Sequence, residues 1–291
     1  MNRTTISSAT LAQYETSRHA WDRIAPGYDR TNTPTQMRLG AEGLRRMGLR
    51  AGMSFLDVAA GSGALAIPAA RLGASVTAVD QSSVMLELLA KRAHAEKLQI
   101  ECRVMDGQAL GFAADSFDAA GSQFGVMLFP DMPTGIREMV RVTRPGGRVL
   151  VIAYGDPHSI DFLTLFVHAV RRIRPEFSGP PVDPPPLPFQ LQDPRRLRTE
   201  LLGAALKNVH VETIGESTQF ASGAAFWDWL ISSNPIVAEI LAELRLSATE
   251  RETLARAIEE LVRARASRDA ITTLSNPVNV GVGIKPDAGA L

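Results

Sequence analysis

The sequence predicts an α/β protein with a mostly parallel sheet of seven strands and helices on both faces. From residue 53 onward, short apolar runs alternate with segments of helical periodicity, an order typical of parallel sheets with covering helices. Of the 291 residues, 45% are hydrophobic and 21% are charged, which is enough apolar material for a large core. The predicted strands span 54–59, 75–80, 99–105, 117–121, 148–153, 209–213 and 278–284.

Segments outside this alternation predict additions to the core. Residues 175–194 include eight prolines, which lack a backbone donor, so this stretch forms neither a regular helix nor a central strand. It is either an extended surface linker or part of a lid. We expect a helical arm or lid at 1–50 with a frayed polar end at 1–12, a core at 51–155 that continues at 193–220, a proline-rich cap insertion at 156–192, a helical cap insertion at 221–268, and the last strand and tail at 269–291.

Two helix starts are marked by side chains that can accept hydrogen bonds from free backbone N–H groups. Asp193 precedes Pro194, and proline is favoured at the first helical position. Thr249 and Glu252 have the spacing of a capping box ahead of an apolar helical stripe. We therefore expect one helix to begin at each of these points.

Charge and cysteine content limit the possible partners. Lys and Arg total 31 and Asp and Glu total 31, so the chain lacks the basic excess that favours nucleic acid or anionic membranes. Cys102 is the single cysteine, which excludes an intramolecular disulfide and a cysteine-based zinc cluster, and we expect no metal site. There is no apolar run of membrane-spanning length and no apolar signal-peptide core. We expect a cytoplasmic monomer or homodimer.

The glycine-rich turn at 55–66 (FLDVAAGSGALA) is the most informative segment. It leads from a strand into a helix predicted near 64–72. Gly61 and Gly63 allow a ligand to approach the backbone closely, and the N–H groups that open the helix favour an anionic group. Asp80, 19 residues after Gly61, ends the next strand and can accept hydrogen bonds from ribose hydroxyls. Because this spacing also satisfies the dinucleotide pattern, an NAD(P)-dependent oxidoreductase stays an alternative.

Three acids at the ends of three successive predicted strands favour a different nucleoside. Asp57 would repel a pyrophosphate but attract the ammonium group of S-adenosylmethionine. Asp106, which is followed by Gly107 and Gln108, is suited to an adenine amino group. Each acid alone also fits a turn or a helix cap, but the three together favour a nucleoside that carries an amino-acid tail.

Several segments together resemble a known family. They are 56–63 (LDVAAGSG), 78–86 (AVDQSSVML), 106–110 (DGQAL) with 115–118 (DSFD), and 138–147 (EMVRVTRPGG). They resemble the motifs of class I S-adenosylmethionine-dependent methyltransferases, and 21–29 (WDRIAPGYD) is similar to the N-terminal signature of the ubiquinone/menaquinone C-methyltransferase group. The resemblance covers residues 20–154. It implies a Rossmann-like methyltransferase fold with a helical cap or lid, and transfer of methyl from S-adenosylmethionine to a small apolar or aromatic metabolite, at carbon or oxygen.

The same resemblance implies a set of cofactor-binding residues. It places Asp80 on the ribose and Met85 on the adenine. Gln123 and Phe124 would flank the transferred methyl group, and Tyr28 would come from the N-terminal lid. The full set is Tyr28, Asp57, Ala59, Gly61, Ser62, Gly63, Asp80, Gln81, Met85, Asp106, Gly107, Gln108, Gln123 and Phe124.

The catalytic residue is not identified by the sequence. A sulfonium methyl group is already activated, so the protein mainly aligns the acceptor and excludes water, and a base is needed only if the acceptor holds its proton. His158 and Tyr28 are the leading candidates for that base, with His158 otherwise an ordinary loop histidine. Other candidates are His19, His168 and Tyr154. A protein that binds the cofactor without methyl transfer, as a pericyclase or a regulatory module, is a further alternative.

Apolar and aromatic side chains recur after the fifth predicted strand. They could cover a small hydrophobic substrate, or they could be the core of the added helices, and both hold if that core faces the pocket. They are Phe162, Leu163, Leu165, Phe166, Phe226, Trp227, Trp229 and Leu230.

Overall fold

The computed structural model describes residues 18–179 and 184–287, so the polar end expected at 1–12 and part of the proline-rich segment lie outside the described residues. The strands are β1 (Ser54–Val58), β2 (Ser75–Asp80), β3 (Ile100–Val104), β4 (Phe117–Gln123), β5 (Thr143–Tyr154), β6 (Lys207–Phe220) and β7 (Thr272–Ile284). They form a seven-stranded sheet in the order β3-β2-β1-β4-β5-β7-β6. Strand β7 is antiparallel to β5 and β6, whereas the other pairs are parallel, which confirms the predicted sheet.

Helices cover both faces of this sheet. Successive residues of a strand point to opposite faces. Ile152 of β5 lies against Gly43 on one face. On the other face Gly281, the β7 partner of Val151, lies against Leu197. The helices are α1 (Arg18–Thr31), α2 (Thr33–Met47), α3 (Ala66–Arg71), α4 (Ser83–Ala95), α5 (Met132–Val142), α6 (Asp161–Arg171), α7 (Pro194–Gly203), α8 (Gly223–Ser233), α9 (Pro235–Leu244) and α10 (Ala248–Ala264).

A second apolar cluster, distinct from the core around the sheet, forms among α6, α8, α9 and α10. Strands β6 and β7 reach it because their hairpin continues past the end of β5, up to the pairing of Phe220 with Thr272. Phe220 and Leu274 at this end are buried in the cluster. Both strands are therefore longer than the sequence predicts, since the polar run at 214–219 gives little apolar signal of a strand.

Helix ends follow the predictions in part. The Asp193 carboxylate accepts a hydrogen bond from the Arg195 backbone N–H, as expected for the start of α7. The capping box predicted at Thr249 is wrong: Ser247 caps α10 and Glu250 completes the box. Helix α3 starts at residue 66 rather than 64 and has only six residues. Within 18–179 and 184–287, no helix is both long enough and apolar enough to cross a membrane.

Candidate functional site

A cavity lies at the carboxyl ends of the central strands, partly under α1 and α2. We call it the cofactor cavity. All the residues that the sequence assigns to the cofactor line it, except Asp57 and Gly63. Those that line it are Tyr28, Ala59, Gly61, Ser62, Asp80, Gln81, Met85, Asp106, Gly107, Gln108, Gln123 and Phe124.

The two glycines of the turn have different functions. Gly61 lies in the left-handed region (φ +53°), and a Cβ built there would meet no protein atom within 4 Å. Because Gly61 faces the cavity, this open space is available to a ligand. Gly63 (φ +101°) faces inward, where a Cβ would be 3.0 Å from Ile67 and Leu89, so it serves packing. Since α3 starts at residue 66, the turn itself and not a helix end borders the cavity.

Asp80 holds the turn in place. Its Oδ2 accepts a hydrogen bond from the Gly61 N–H at 2.9 Å, and its Oδ1 accepts one from the Ser82 N–H at 2.9 Å. Burial raises the pKa of this carboxyl, and the two amides offset only part of that effect. Each oxygen has capacity to accept a further hydrogen bond, and Asp80 lines the cavity. The acid therefore fixes the turn and can also accept from a ligand.

Asp57 lies behind the turn and not at the cavity surface. Its side chain is buried, with 1% exposure, and neither carboxyl oxygen has a hydrogen-bond partner of normal geometry among the described residues. Burial raises the pKa of Asp57 to about 8, the amide of Ala66 lowers it by less, and the charge of Asp80 raises it further. The carboxyl is thus mostly protonated at neutral pH, unless a cation comes near it.

Polar side chains connect α2 to the turn and to β4. The hydroxyls of Thr33 and Ser62 are 2.5 Å apart, and the Gln123 amide donates to the backbone oxygen of Gln36 at 3.0 Å. The Tyr28 hydroxyl in turn donates to Oε1 of Gln36 at 2.9 Å. The N-terminal helices therefore form one wall of the cofactor cavity. Thr33 and Gln36 were missed by sequence reasoning, which gave no register for α2.

The far end of the cofactor cavity is shaped by the turn after β3. Oδ1 of Asp106 accepts from the Gln108 N–H at 2.9 Å, and Oε1 of Gln108 accepts from the Asp131 N–H at 2.9 Å. Gly107 packs so closely that a Cβ would lie 2.4 Å from Phe129. The shape of this end of the cavity is therefore fixed by hydrogen bonds between side chains and the backbone and by the close packing of the Gly107 backbone.

A second cavity adjoins the first, and we call it the acceptor cavity. The two share Trp21, Tyr28, Phe124 and Leu128 as a common wall. Phe124 has a left-handed backbone (φ +56°), which is strained for a residue other than glycine. The rest of the lining is mostly apolar: Asn32, Met127, Tyr154, Phe162, Leu163, Pro188, Phe189, Trp229, Ser233, Asn234 and Val237.

The aromatic residues after β5 serve both as core and as lining. Phe162, Leu163 and Trp229 are buried in the second apolar cluster and also face the acceptor cavity. Phe166 and Phe226 are buried in the cluster without lining the cavity. The apolar cover and the core of the added helices, which the sequence offered as two interpretations, are therefore formed by the same cluster.

The histidine base candidates are not at these cavities. His158 is 76% exposed at its side chain, and its Nδ1 lies 3.0 Å from Oδ1 of Asp156. It lines a separate surface groove together with His168. His19 is exposed on α1. His158 therefore lies outside the linings of the cofactor cavity and of the acceptor cavity, in a short turn that Asp156 caps.

The two tyrosine candidates line the acceptor cavity but hold their protons. Burial raises the pKa of Tyr28 and of Tyr154 well above the usual phenol range.

Glu216 is a buried acid whose charge raises the pKa of both tyrosines further. Burial raises the pKa of Glu216 itself to about 7, and the charge of Arg38 lowers it by a smaller amount. Glu216 pairs with Asn276 in the β6–β7 ladder, two positions from the Tyr154 partner on β7, so it shares a sheet face with Tyr154. Sequence reasoning missed this acid because the strand around it was not predicted.

Within the described residues, no three His, Cys, Asp or Glu side chains are grouped so that they could hold a metal ion.

The fold and the paired cavities define an α/β protein of the Rossmann-like methyltransferase class. Residues 56–151 match the family described as a methyltransferase domain. A demethylmenaquinone methyltransferase of Corynebacterium efficiens is 35% identical over 162 residues, which are 54% of this chain and 68% of that protein. The chain therefore belongs to the class I S-adenosylmethionine-dependent methyltransferases, of the menaquinone/ubiquinone type. The cofactor of this family is S-adenosylmethionine.

Other comparisons agree on the fold. An uncharacterized protein of Mycobacterium tuberculosis is 38% identical over 132 residues, 45% of this chain and 47% of that protein, so this match spans about half the length of that relative. The solved structure of a Haemonchus contortus phosphoethanolamine N-methyltransferase in complex with S-adenosyl-L-methionine gives a TM-score of 0.54 at 18% identity. It covers 99% of this chain and 62% of that one. At this identity the similarity shows the fold alone.

Proposed function

We propose that the chain transfers a methyl group from S-adenosylmethionine to a carbon or oxygen atom of a small apolar or aromatic molecule. The observation that carries this proposal is the pair of adjoining cavities. One is lined by acids and a glycine turn, and the other is mostly apolar. Because they share a wall that includes Tyr28 and Phe124, two ligands bound side by side would meet at that wall.

The residues around the cofactor cavity fit the proposed donor. The open Cβ position of Gly61 leaves room for a ligand against the backbone, and Asp80 is free to accept hydrogen bonds from ribose hydroxyls. The unpartnered carboxyl of Asp57, close behind the turn, suits a nearby ammonium group. Asp106 and Gly107 would meet the adenine edge, and Met85 its face. The donor supplies an activated methyl group at a sulfonium, and these residues bind and orient it.

The acceptor side of the proposal depends on exclusion of water. An apolar lining, closed by aromatic side chains such as Phe162 and Trp229, keeps water from the sulfonium and aligns the acceptor. Demethylmenaquinone, which the Corynebacterium relative is named for, is the first acceptor to test. The oxidoreductase alternative no longer stands, because the chain belongs to a family that uses S-adenosylmethionine.

We also propose a cellular setting and an internal division of the chain. The zero formal charge supports a small-molecule substrate over nucleic acid. A cytoplasmic monomer or homodimer fits the composition. The segments 1–50, 156–192 and 221–268 are proposed as the lid and cap over the core, and α1 and α8 support this because they line the acceptor cavity through Trp21 and Trp229.

The test is methyl transfer from a donor with an isotopically labelled methyl group to demethylmenaquinone and to a panel of apolar ring compounds, read by mass spectrometry. Gly61→Ala is the matched variant, because its new methyl group meets no protein atom and would occupy only ligand space. Gly52→Ala is the control, since Gly52 also has an open Cβ position and a left-handed backbone (φ +81°) but lines neither cavity.

We expect labelled product from the wild type and from Gly52→Ala, and a loss of at least about tenfold in Gly61→Ala. If S-adenosylhomocysteine binds by calorimetry but no acceptor gains a methyl group, the alternative of a cofactor-binding protein without transfer is supported instead.

A further inference from the structure

The acceptor cavity contains an asparagine whose side chain has no hydrogen-bond partner among the described residues. Asn32 is 5% exposed and lines the cavity, and its side chain makes no hydrogen bond to another described residue. An asparagine ahead of a helix normally caps it with its side chain. Here Asn32 has helical backbone angles (φ −93°, ψ −51°) and makes no such cap bond. Only its backbone oxygen serves α2, by accepting from the N–H groups of Thr35 and Gln36.

A second polar group in the same cavity is also unpaired. Tyr154, at the end of β5, lines the cavity and stacks on Phe124 with the ring centres 4.5 Å apart. Its hydroxyl makes no hydrogen bond to another described residue. The other hydroxyls of this cavity do have partners: Tyr28 donates to Gln36, and Ser233 donates to the backbone oxygen of Trp229.

Unpaired polar groups in a buried, apolar cavity are costly unless something else satisfies them. Asn32 offers both a donor and an acceptor, and Tyr154 offers a donor. Among the described residues that line this cavity there is no carboxylate, and Glu216, whose charge acts on Tyr28 and Tyr154, is not part of the lining. A cationic ligand would therefore be desolvated there without a counter-charge in direct contact. A neutral oxygen substituent, a hydroxyl or a carbonyl, matches these groups best.

We propose that Asn32 and Tyr154 are positioning residues that hold the acceptor by an oxygen substituent on an otherwise apolar ring. The inference rests on the proposed function, in that it takes the second cavity as the acceptor site. The aromatic wall would bind the ring, and the two polar side chains would fix its rotation relative to the shared wall at Phe124. Selectivity for the acceptor is thereby assigned to two residues on different elements: Asn32 directly precedes α2, and Tyr154 ends β5.

The test compares a ring with and without one hydroxyl. Binding of 2-naphthol and of naphthalene is measured by calorimetry with S-adenosylhomocysteine saturating, in the wild type, Asn32→Leu and Tyr154→Phe. We expect the wild type to prefer 2-naphthol about tenfold, and each variant to lose about fivefold of that preference, as a lost neutral hydrogen bond implies. Affinity for naphthalene should be unchanged, because both variants keep the apolar volume.

Stability measurements separate a ligand-binding asparagine from a structural one. Asn279 is the matched control: it is equally buried, but its amide donates to the backbone oxygens of Leu191 and Gln192. Asn279→Leu should lower the urea midpoint, whereas Asn32→Leu should leave it unchanged or raise it.

Two results would overturn the inference: no preference for 2-naphthol in the wild type, or a preference that both variants retain. A fall in the Asn32→Leu midpoint as large as that of Asn279→Leu would do the same. If the preference behaves as expected but no methyl transfer is found with any acceptor, the proposed function fails while the binding role of Asn32 and Tyr154 stands.

Discussion

Replacing Asp57 by asparagine should stabilise the protein at neutral pH while weakening cofactor binding. The pKa of this buried carboxyl is raised to about 8, from an ordinary value of 3.8. For an acid with a raised folded-state pKa, the contribution to stability is fully present below the unfolded pKa. It is lost as the pH rises through the folded value. The contribution of Asp57 to stability is therefore lost as the pH rises from about 4 to about 8.

The magnitude follows from the pKa difference. At pH 7 the unfolded carboxyl is ionised and the folded one is mostly protonated, so the linkage cost is about 4 kcal/mol at most. An asparagine removes this cost but leaves its own amide unpaired, which costs about 1–3 kcal/mol. The net gain of Asp57→Asn is therefore about 1–3 kcal/mol at pH 7, and it disappears or reverses near pH 4.

Urea unfolding at several values between pH 4 and pH 8 measures this difference, and calorimetry with S-adenosylhomocysteine measures the binding loss. Asp118→Asn is the control, and we expect it to change the stability at pH 7 in the opposite direction. Burial alone would raise the pKa of Asp118, but donors from Ser54 and the charge of Arg144 lower it overall. Its replacement should therefore destabilise the protein at pH 7.

A loss of stability in Asp57→Asn at pH 7, comparable with that of Asp118→Asn, would show that Asp57 is ionised and paired and would refute this reasoning. A stabilised variant with unchanged cofactor affinity would separate the two halves of the prediction. It would leave the burial argument intact and remove Asp57 from the binding site.

Three further predictions concern the same region. Asp80→Ala should weaken S-adenosylhomocysteine binding by about 1.5–3 kcal/mol for each lost ribose hydrogen bond, by calorimetry. It should also lower the urea midpoint, because the N–H groups of Gly61 and Ser82 lose their acceptor; wild-type affinity would reject the ribose role. Glu216→Gln should gain stability over the wild type as the pH rises from about 4.5 to about 7, since burial raises the pKa of this acid. A gain that does not vary with pH would contradict its burial as a neutral group. Hydrogen exchange with and without S-adenosylhomocysteine should show more added protection in α1 than in α10; equal changes would reject α1 as a lid.

The central sheet could be predicted because its signals are local. Strand β2 has the predicted bounds, and the glycine turn and the acids near the carboxyl ends of β1, β2 and β3 are read directly from short segments. The turn at residues 61–63 lies at the cavity because one strand and one turn suffice to place it. The cap at Asp193 could also be predicted, because its hydrogen bond to the Arg195 N–H spans only two residues.

The acceptor side could not be predicted in the same way, because distant segments build it. Asn32, Tyr154 and Trp229 come from the entry of α2, the end of β5 and the middle of α8, and no local pattern relates them. His158 follows β5 as predicted, in a short turn that Asp156 caps. It lines another groove and neither of the two cavities.

The shared wall places Phe124 against both cavities. Phe124 follows β4, lies in a strained left-handed conformation and stacks on Tyr154, so its ring stands between the cavities. Strain of this kind persists where the surrounding packing over-determines it. The cofactor side fixes Phe124 through β4, while the second apolar cluster fixes Tyr154 from the other side. Under the proposed function, a ligand in either cavity would contact a ring whose position depends on both sides, so selectivity for the acceptor would be linked to the residues that border the donor.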